Sequence, residues 1–146
     1  MFSFLRSALS FFVLLSFLKL VAFADETKSS VSTPELAAAD QLYRAGKFAE
    51  AEASYQAILK TDSKLVPAQV GSVRAMLRQQ KIDEAMEEVN KALAQQPNEA
   101  PLLAAKGDVL FRRGEMTDAE GSYLAAKKLD PKAVRAYLGL ARLYRS

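Results

Sequence analysis

Side chains that could act as catalytic bases or nucleophiles are few in this 146-residue chain. It contains no His and no Cys, which excludes imidazole and thiolate chemistry. Ser54, Ser72 and Ser122 fall in segments of helical pattern, without a neighbouring base and without a Gly-x-Ser-x-Gly turn. A serine nucleophile needs an activating base, so we predict no hydrolytic site.

Carboxylates are more numerous, but their spacing does not favour a catalytic or metal site. Glu87 and Glu88 are neighbours, and neighbours on a helix point about 100° apart, so they do not share a site. Asp62 and Asp130 stand alone near predicted helix ends, whereas a calcium loop needs ligands at several alternate positions. No Gly-rich phosphate loop is present. We therefore expect no enzyme activity, no cofactor and no metal ion.

The first 24 residues carry the three parts of a secretory signal peptide. Arg6 is the only charged residue before the apolar residues 7–18, and Ala22-Phe23-Ala24 offers small residues where a signal peptidase reads. An uncleaved membrane anchor is the alternative, since the apolar stretch reaches about 18 residues if Lys19 is tolerated near one membrane face. We expect an exported protein, periplasmic or secreted, with membrane contact only if this segment is uncleaved.

Removing this segment leaves 18 basic and 17 acidic residues, so the net charge falls from +3 to +1. Nucleic-acid binding needs a concentrated basic face, and we predict no such partner. Residues 25–33 are polar and lack helical periodicity, which indicates a flexible leader. One domain then occupies residues 34–146, and Thr33 followed by Pro34 is typical of a helix start.

The remainder of the chain repeats with a period of 34 residues. The segments that begin at Lys47, Lys81 and Glu115 align without gaps, and their recurring positions form one face of a helix. These positions hold Phe48, Ile82 and Met116, then Ala51, Ala85 and Ala119, then Tyr55, Val89 and Tyr123, and finally Ile58, Ala92 and Ala126.

Each unit also contains an earlier helix, which ends where the chain must turn. Gly46 and Gly114 permit a left-handed turn there, and Gln80 holds the same register position. Pro97 and Pro131 end the second helix, because proline cannot donate the helical hydrogen bond. The units are therefore predicted to be antiparallel hairpins, in which the recurring Ala lets the helices approach and the recurring Tyr or Val fills the space between units.

These hairpins resemble tetratricopeptide repeats. The units span residues 32–65, 66–99 and 100–133, and residues 134–146 resemble the first helix of a fourth unit. The family's aromatic residue at position 4 is present only as Tyr137, and its Gly at position 8 only as Gly107. The resemblance implies an all-α fold, an α-α superhelix of three hairpins followed by a C-terminal capping helix.

The last helix has two interpretations. It caps the array if its apolar side chains face the last hairpin and its arginines face outward. The two expected faces are formed by Tyr137, Leu140, Ala141 and Tyr144, and by Arg135, Arg142 and Arg145. Alternatively, the sequence is a fragment of a longer protein.

The resemblance also implies a concave surface, into which positions 2, 5, 9, 12 and 13 of each first helix point. The residues so assigned are Leu36, Asp40, Tyr43, Arg44, Val70, Arg74, Leu77, Arg78, Asp108, Phe111, Arg112 and Arg142. They form an apolar strip beside a row of arginines, which favours a peptide with apolar anchors and acidic groups. A structural role stays open, because the helix dipole favours arginine at a helix C-terminus and position 12 also fits packing between units.

The family's carboxylate clamp, which grips a peptide C-terminus with Lys and Asn at positions 5 and 9, is absent. Leu36, Val70 and Ala104 occupy position 5, so we do not expect binding of chaperone tails. The predicted function is a protein-interaction module, an adaptor or scaffold that binds a protein or peptide ligand. The alternatives are the N-terminal docking region of a larger exported enzyme, truncated at residue 146, and an oligomerisation scaffold.

Overall fold

The computed structural model describes residues 33–145 of the chain. These residues form seven helices and no strand. The helices are α1 (Pro34–Arg44), α2 (Phe48–Thr61), α3 (Val66–Arg78), α4 (Ile82–Gln95), α5 (Ala100–Arg113), α6 (Met116–Leu129) and α7 (Val134–Leu143).

The predicted all-α fold is confirmed. Three hairpins, α1–α2, α3–α4 and α5–α6, follow the 34-residue period, and α7 comes after them. None of the helices within residues 33–145 combines the length and apolarity needed to cross a membrane. The predicted signal segment 1–24, and the predicted leader apart from Thr33, lie outside the described residues.

Local residue choices set where the helices begin and end. The hydroxyl oxygen of Thr33 accepts a hydrogen bond from the Leu36 N–H at 3.2 Å, which satisfies a free donor of the first turn of α1. Gly46 and Gly114 adopt the predicted left-handed conformation after α1 and α5, with φ of 79° and 84°. Gln80 adopts it too, with φ of 64°, although its Cβ makes this conformation costly.

The recurring small residues form the contact within each hairpin. Ala51, Ala85 and Ala119 are fully buried, and their short side chains let the antiparallel helices approach. Three core clusters run along the array, and they take side chains from α1–α3, α3–α5 and α5–α7. Every hairpin is therefore buried against the first helix of the next unit, as expected for stacked repeats.

Two tyrosines fill the space between units. Tyr55 and Tyr123 are fully buried, and a Cβ added at Gly139 of α7 would overlap the Tyr123 ring. The middle unit carries the smaller Val89 at the tyrosine position, and the first helix of the next unit carries Ala105 at the position that corresponds to Gly139. A tyrosine ring thus occurs together with a glycine, and the smaller valine occurs together with an alanine.

The last helix, α7, covers the last hairpin, but its faces differ from those expected. Gly139 lies against the Tyr123 ring, and this contact fixes the rotation of the helix. As a result, Arg142 reaches back to α5, and the apolar Leu138 lies on the outer face. The expectation of a polar outer face is therefore wrong, and the residues expected to be covered but found exposed are Tyr137, Ala141 and Tyr144.

Candidate functional site

The first helices α1, α3, α5 and α7 line a concave groove with a volume of about 720 Å³. Six of the eleven described residues that line it are arginines, and Asp108 is the only acidic residue in this lining set. The lining residues are Tyr43, Arg74, Leu77, Arg78, Asp108, Arg112, Val134, Arg135, Leu138, Arg142 and Arg145. The groove therefore carries a strong excess of positive charge.

Both groove arginines of α3 lie over aromatic rings of the first unit. The guanidinium carbon of Arg74 is 4.3 Å from the centroid of the Tyr43 ring, and that of Arg78 is 4.4 Å from the centroid of the Phe48 ring. The two rings pack edge to face, with their centroids 5.4 Å apart. Neither arginine forms an ion pair with a described residue. The cation–π contacts therefore hold the two guanidinium groups without neutralising them.

The stacking of Arg74 on Tyr43 recurs 68 residues later in the chain. Arg142 lies over Phe111, with its guanidinium carbon 4.8 Å from the ring centroid. The middle unit carries Leu77 at the aromatic position, and this side chain lines the groove. An apolar patch thus lies between two arginine–aromatic pairs.

Asp108 connects three helices at the C-terminal end of the groove. Its carboxylate, in a residue that is only 8% exposed, accepts hydrogen bonds from the Tyr123 hydroxyl at 2.8 Å, from Arg142 at 2.7 Å and from Arg135 at 2.9 Å. Charged donors on both oxygens compensate for the burial of this charge. Two of the six groove arginines therefore pair with a carboxylate of the protein itself, and they fix α7 on the last hairpin.

Two tyrosine–aspartate pairs tie first helices to second helices. Burial raises the pKa of Tyr123 well above its usual range, and the negative charge of Asp108 raises it further. Burial and a 2.5 Å hydrogen bond to Asp40 raise the pKa of Tyr55 in the same way. Both hydroxyls therefore stay protonated at physiological pH and donate to their carboxylates.

Seven of the twelve predicted groove residues line the groove, namely Tyr43, Arg74, Leu77, Arg78, Asp108, Arg112 and Arg142. Leu36 and Val70 do not, and their predicted placement is corrected. Their side chains are 5% and 9% exposed, because the first helix of the following unit covers position 5.

Three further predicted residues also lie outside the lining set. Asp40 accepts the Tyr55 hydrogen bond, and Phe111 packs against the core beneath Arg142. Arg44 donates from Nε to the backbone carbonyl of Asp40 at 3.2 Å, which stabilises the end of its own helix. Whether any of the twelve contacts a partner stays a prediction.

Four lining residues are absent from the sequence-based prediction, and all of them belong to α7 or directly follow it. They are Val134, Arg135, Leu138 and Arg145. The 34-residue register could have indicated three of them, because Arg135, Leu138 and Arg145 hold positions 2, 5 and 12 of the partial fourth unit. Val134 holds none of the groove positions, and no sequence signal pointed to it.

Two sequence profiles of the tetratricopeptide repeat match the chain, one at residues 42–109 and the other at residues 104–146. The chain belongs to the tetratricopeptide repeat (TPR) family. No curated protein sequence matches it.

Solved TPR structures share the fold of this TPR array at low sequence identity. The first TPR domain of human RPAP3 has a TM-score of 0.67 at 19% identity, over 75% of this chain and 86% of that one. The second RPAP3 domain, in complex with the HSP70 peptide SGPTIEEVD, has a TM-score of 0.64 at 19% identity, over 77% and 93%. The type III secretion translocator chaperone SycD of Yersinia enterocolitica has a TM-score of 0.66 at 18% identity, over 82% and 96%.

Proposed function

We propose that this TPR array is a protein-interaction module that binds a peptide segment of a partner in its groove, and that acidic side chains of the peptide pair with the groove arginines. The charge of the groove carries this proposal, because six arginines face a single carboxylate. Only Arg135 and Arg142 pair with that carboxylate. The other four, Arg74, Arg78, Arg112 and Arg145, have no carboxylate partner among the described residues.

The planar shape of the arginine guanidinium groups favours carboxylates as ligands. A guanidinium group is planar, and it binds a carboxylate through two parallel hydrogen bonds. The rings of Tyr43 and Phe48 already order Arg74 and Arg78, so less side-chain entropy is lost when a ligand binds. Leu77 adds an apolar surface beside them, where an apolar side chain of the peptide can anchor.

Structural neighbours support a peptide-binding role. The second RPAP3 domain was solved with an HSP70 peptide, and SycD was solved with a peptide of the translocator YopD. The contact chemistry proposed here differs from a Lys and Asn clamp, because position 5 holds buried apolar residues, namely Leu36, Val70 and Ala104. We infer that arginines at positions 9, 12 and 13 make the anionic contacts instead.

We also propose that the protein is exported and that residues 1–24 are removed as a signal peptide. The apolar residues 7–18, followed by Ala22-Phe23-Ala24, support this proposal. Mass spectrometry of the protein from its native cell envelope tests it. A mature chain that begins at Asp25 is expected, whereas an intact chain in the membrane fraction would show an uncleaved anchor instead.

Reversal of the groove charge tests the binding function. The variant Arg74→Glu/Arg78→Glu/Arg112→Glu is expected to reduce partner recovery in a crosslinked pull-down at least about tenfold, because like charges then face the acidic ligand. Thermal melts of the variant establish that the array stays folded.

A matched variant controls for net charge. It makes the same change at exposed positions of the second helices, with the substitutions Lys60→Glu, Lys91→Glu and Lys128→Glu. Partner recovery is expected to be that of the wild type. An equal loss in both variants, or no loss in the groove variant, would contradict the proposed site.

A further inference from the structure

An apolar strip of α7, here called the end face, consists of Val134, Leu138 and Ala141. Val134 is 69% exposed and Leu138 is 65% exposed. All the exposed large apolar side chains of residues 33–145 lie in the C-terminal part of the array, from Met116 to Tyr144. A concentration of exposed apolar residues marks an interaction surface more often than single exposed residues do.

The corresponding strip of α3 shows that other helices cover such a face in this fold. Its residues, at the same register positions 68 residues earlier, are Val66, Val70 and Val73. Val70 and Val73 are buried in a core cluster that they share with α4 and α5. Two helices therefore cover this strip on α3, whereas Leu138, at the position of Val70, stays exposed.

The charge around the end face indicates the chemistry of a partner. Residues 131–145 contain four basic side chains and no acidic one. The helix that packs beside the strip of α3 is α4, which has four acidic residues and one lysine. A helix that docks on α7 would bring apolar residues to the end face and place its acidic residues beside this basic surround.

A second copy of the chain fits the end face poorly. Arg135 and Arg142 pair with Asp108. Two end faces that meet would still bring together Lys132 and Arg145 of each copy, which have no ion pair with a described residue, and this is unfavourable. A head-to-tail contact would instead need an apolar surface at the N-terminal end of the array. No large apolar side chain of residues 33–115 is exposed, so the described part of that end offers no apolar counterpart.

We propose that the end face docks an acidic amphipathic helix of a partner protein, which packs against α7 as α4 packs against α3. This site borders the groove at Val134 and Leu138. It uses apolar burial on α7, whereas the groove function depends on Arg74, Arg78 and Arg112. The two proposals can therefore fail separately.

The sequence of α4 supplies a defined probe for the end face. A peptide of residues 82–96, acetylated and amidated at its ends, carries four acidic residues and one lysine. A lactam bridge between Glu87 and Lys91 holds it helical, because these residues are one turn apart and both are exposed on α4. The amide consumes both charges, so the bridged peptide keeps three acidic residues. Fluorescence anisotropy with the full chain is expected to show saturable binding.

Matched variants locate the binding site. Leu138→Glu is expected to weaken peptide binding at least about tenfold, because it places a like charge in the apolar contact. Leu124→Glu, at a leucine of α6 that is 45% exposed, is expected to leave the affinity within about twofold. A peptide with Asp83→Lys, Glu84→Lys and Glu88→Lys is expected to bind at least about tenfold more weakly.

Several results would overturn the proposal. Absence of saturable binding, equal effects of the two leucine variants, or unchanged binding of the charge-reversed peptide would each do so. A dimer in sedimentation velocity that Leu138→Glu dissociates would identify a second copy as the occupant. Peptide binding that appears only after removal of residues 1–24 would identify that segment as the occupant.

The groove variant separates this site from the proposed function. Arg74→Glu/Arg78→Glu/Arg112→Glu is expected to bind the α4 peptide within about threefold of the wild type, since it leaves α7 unchanged. A loss as large as that of Leu138→Glu would place the peptide in the groove and overturn the end-face assignment.

Discussion

Arg74 of α3 lies over the ring of Tyr43 of α1, with its guanidinium carbon 4.3 Å from the ring centroid. The contact crosses from one hairpin to the next, so the same two side chains join neighbouring units and form part of the groove wall. Arg142 and Phe111 repeat the arrangement at the other end of the groove. A stacked guanidinium group keeps its charge and its hydrogen-bond donors, which a carboxylate-binding site requires.

Asp108→Asn is expected to lower the free energy of unfolding by about 1–3 kcal/mol, because Arg135 and Arg142 lose a charged acceptor. Urea unfolding measures the change, and hydrogen exchange is expected to increase first in α7. Glu87→Gln, at an exposed position in the middle of α4, is the control and should change little. Equal effects of the two substitutions would contradict the role of Asp108 in fixing α7.

Gly139→Ala is expected to destabilise the array by about 1–3 kcal/mol, since the new Cβ would overlap the Tyr123 ring. Gly121→Ala is the matched substitution on α6, where a Cβ meets no atom within 4 Å. It is expected to stabilise by about 0.5–1 kcal/mol, because alanine favours a helix. Thermal or urea unfolding checks both, and effects of the same sign would show that the ring contact does not decide the outcome.

Gln80→Gly is expected to stabilise the turn between α3 and α4 by about 1 kcal/mol, because glycine adopts a φ of 64° without strain. Gly114→Ala makes the opposite change at the same register position and is expected to destabilise by about 1 kcal/mol. The pair of urea midpoints tests this reasoning. A loss of stability in Gln80→Gly would mean that the hydrogen bond which the Gln80 side-chain oxygen accepts from Arg112 outweighs the backbone strain.

Alkaline pH is expected to destabilise the array through Tyr55 and Tyr123. The folded state raises the pKa of both above the usual value of about 10, so the unfolded chain releases these protons first as the pH rises. The stabilisation is therefore complete below pH about 10 and is lost as the pH rises toward the pKa of the folded state. Urea midpoints from pH 8 to 11.5 should fall less steeply in Tyr123→Phe, and parallel curves would contradict this.

The hairpins could be predicted from the sequence because the 34-residue period repeats many positions at once. Ala51 recurs in every unit and the position of Tyr55 is always held by Tyr or Val, so their burial follows from the helical face that they share. The turns at Gly46 and Gly114 could be predicted for a similar reason, since both glycines hold the same register position and glycine favours a turn there. Only the register predicts that Gln80 lies in the turn, and its strain is visible only in the backbone angles.

The groove could be predicted only in part, because register alone does not fix how neighbouring units overlap. Leu36 and Val70 hold position 5 in the register, but the next first helix covers them. The pairing of Asp108 with Arg135 and Arg142 depends on the rotation of α7, which the packing of Gly139 on a ring determines. Apolar residues occur on almost every side of α7, so no single stripe indicated its buried face.

Selection of a random peptide library on the immobilised array tests the central claim, that the groove binds acidic peptides, most directly. The account predicts a consensus in which acidic residues flank an apolar one, because unpaired arginines lie beside Leu77. It also predicts that this consensus disappears when Arg74→Glu/Arg78→Glu/Arg112→Glu is the target. A consensus without acidic residues, or the same consensus from both targets, would contradict the claim.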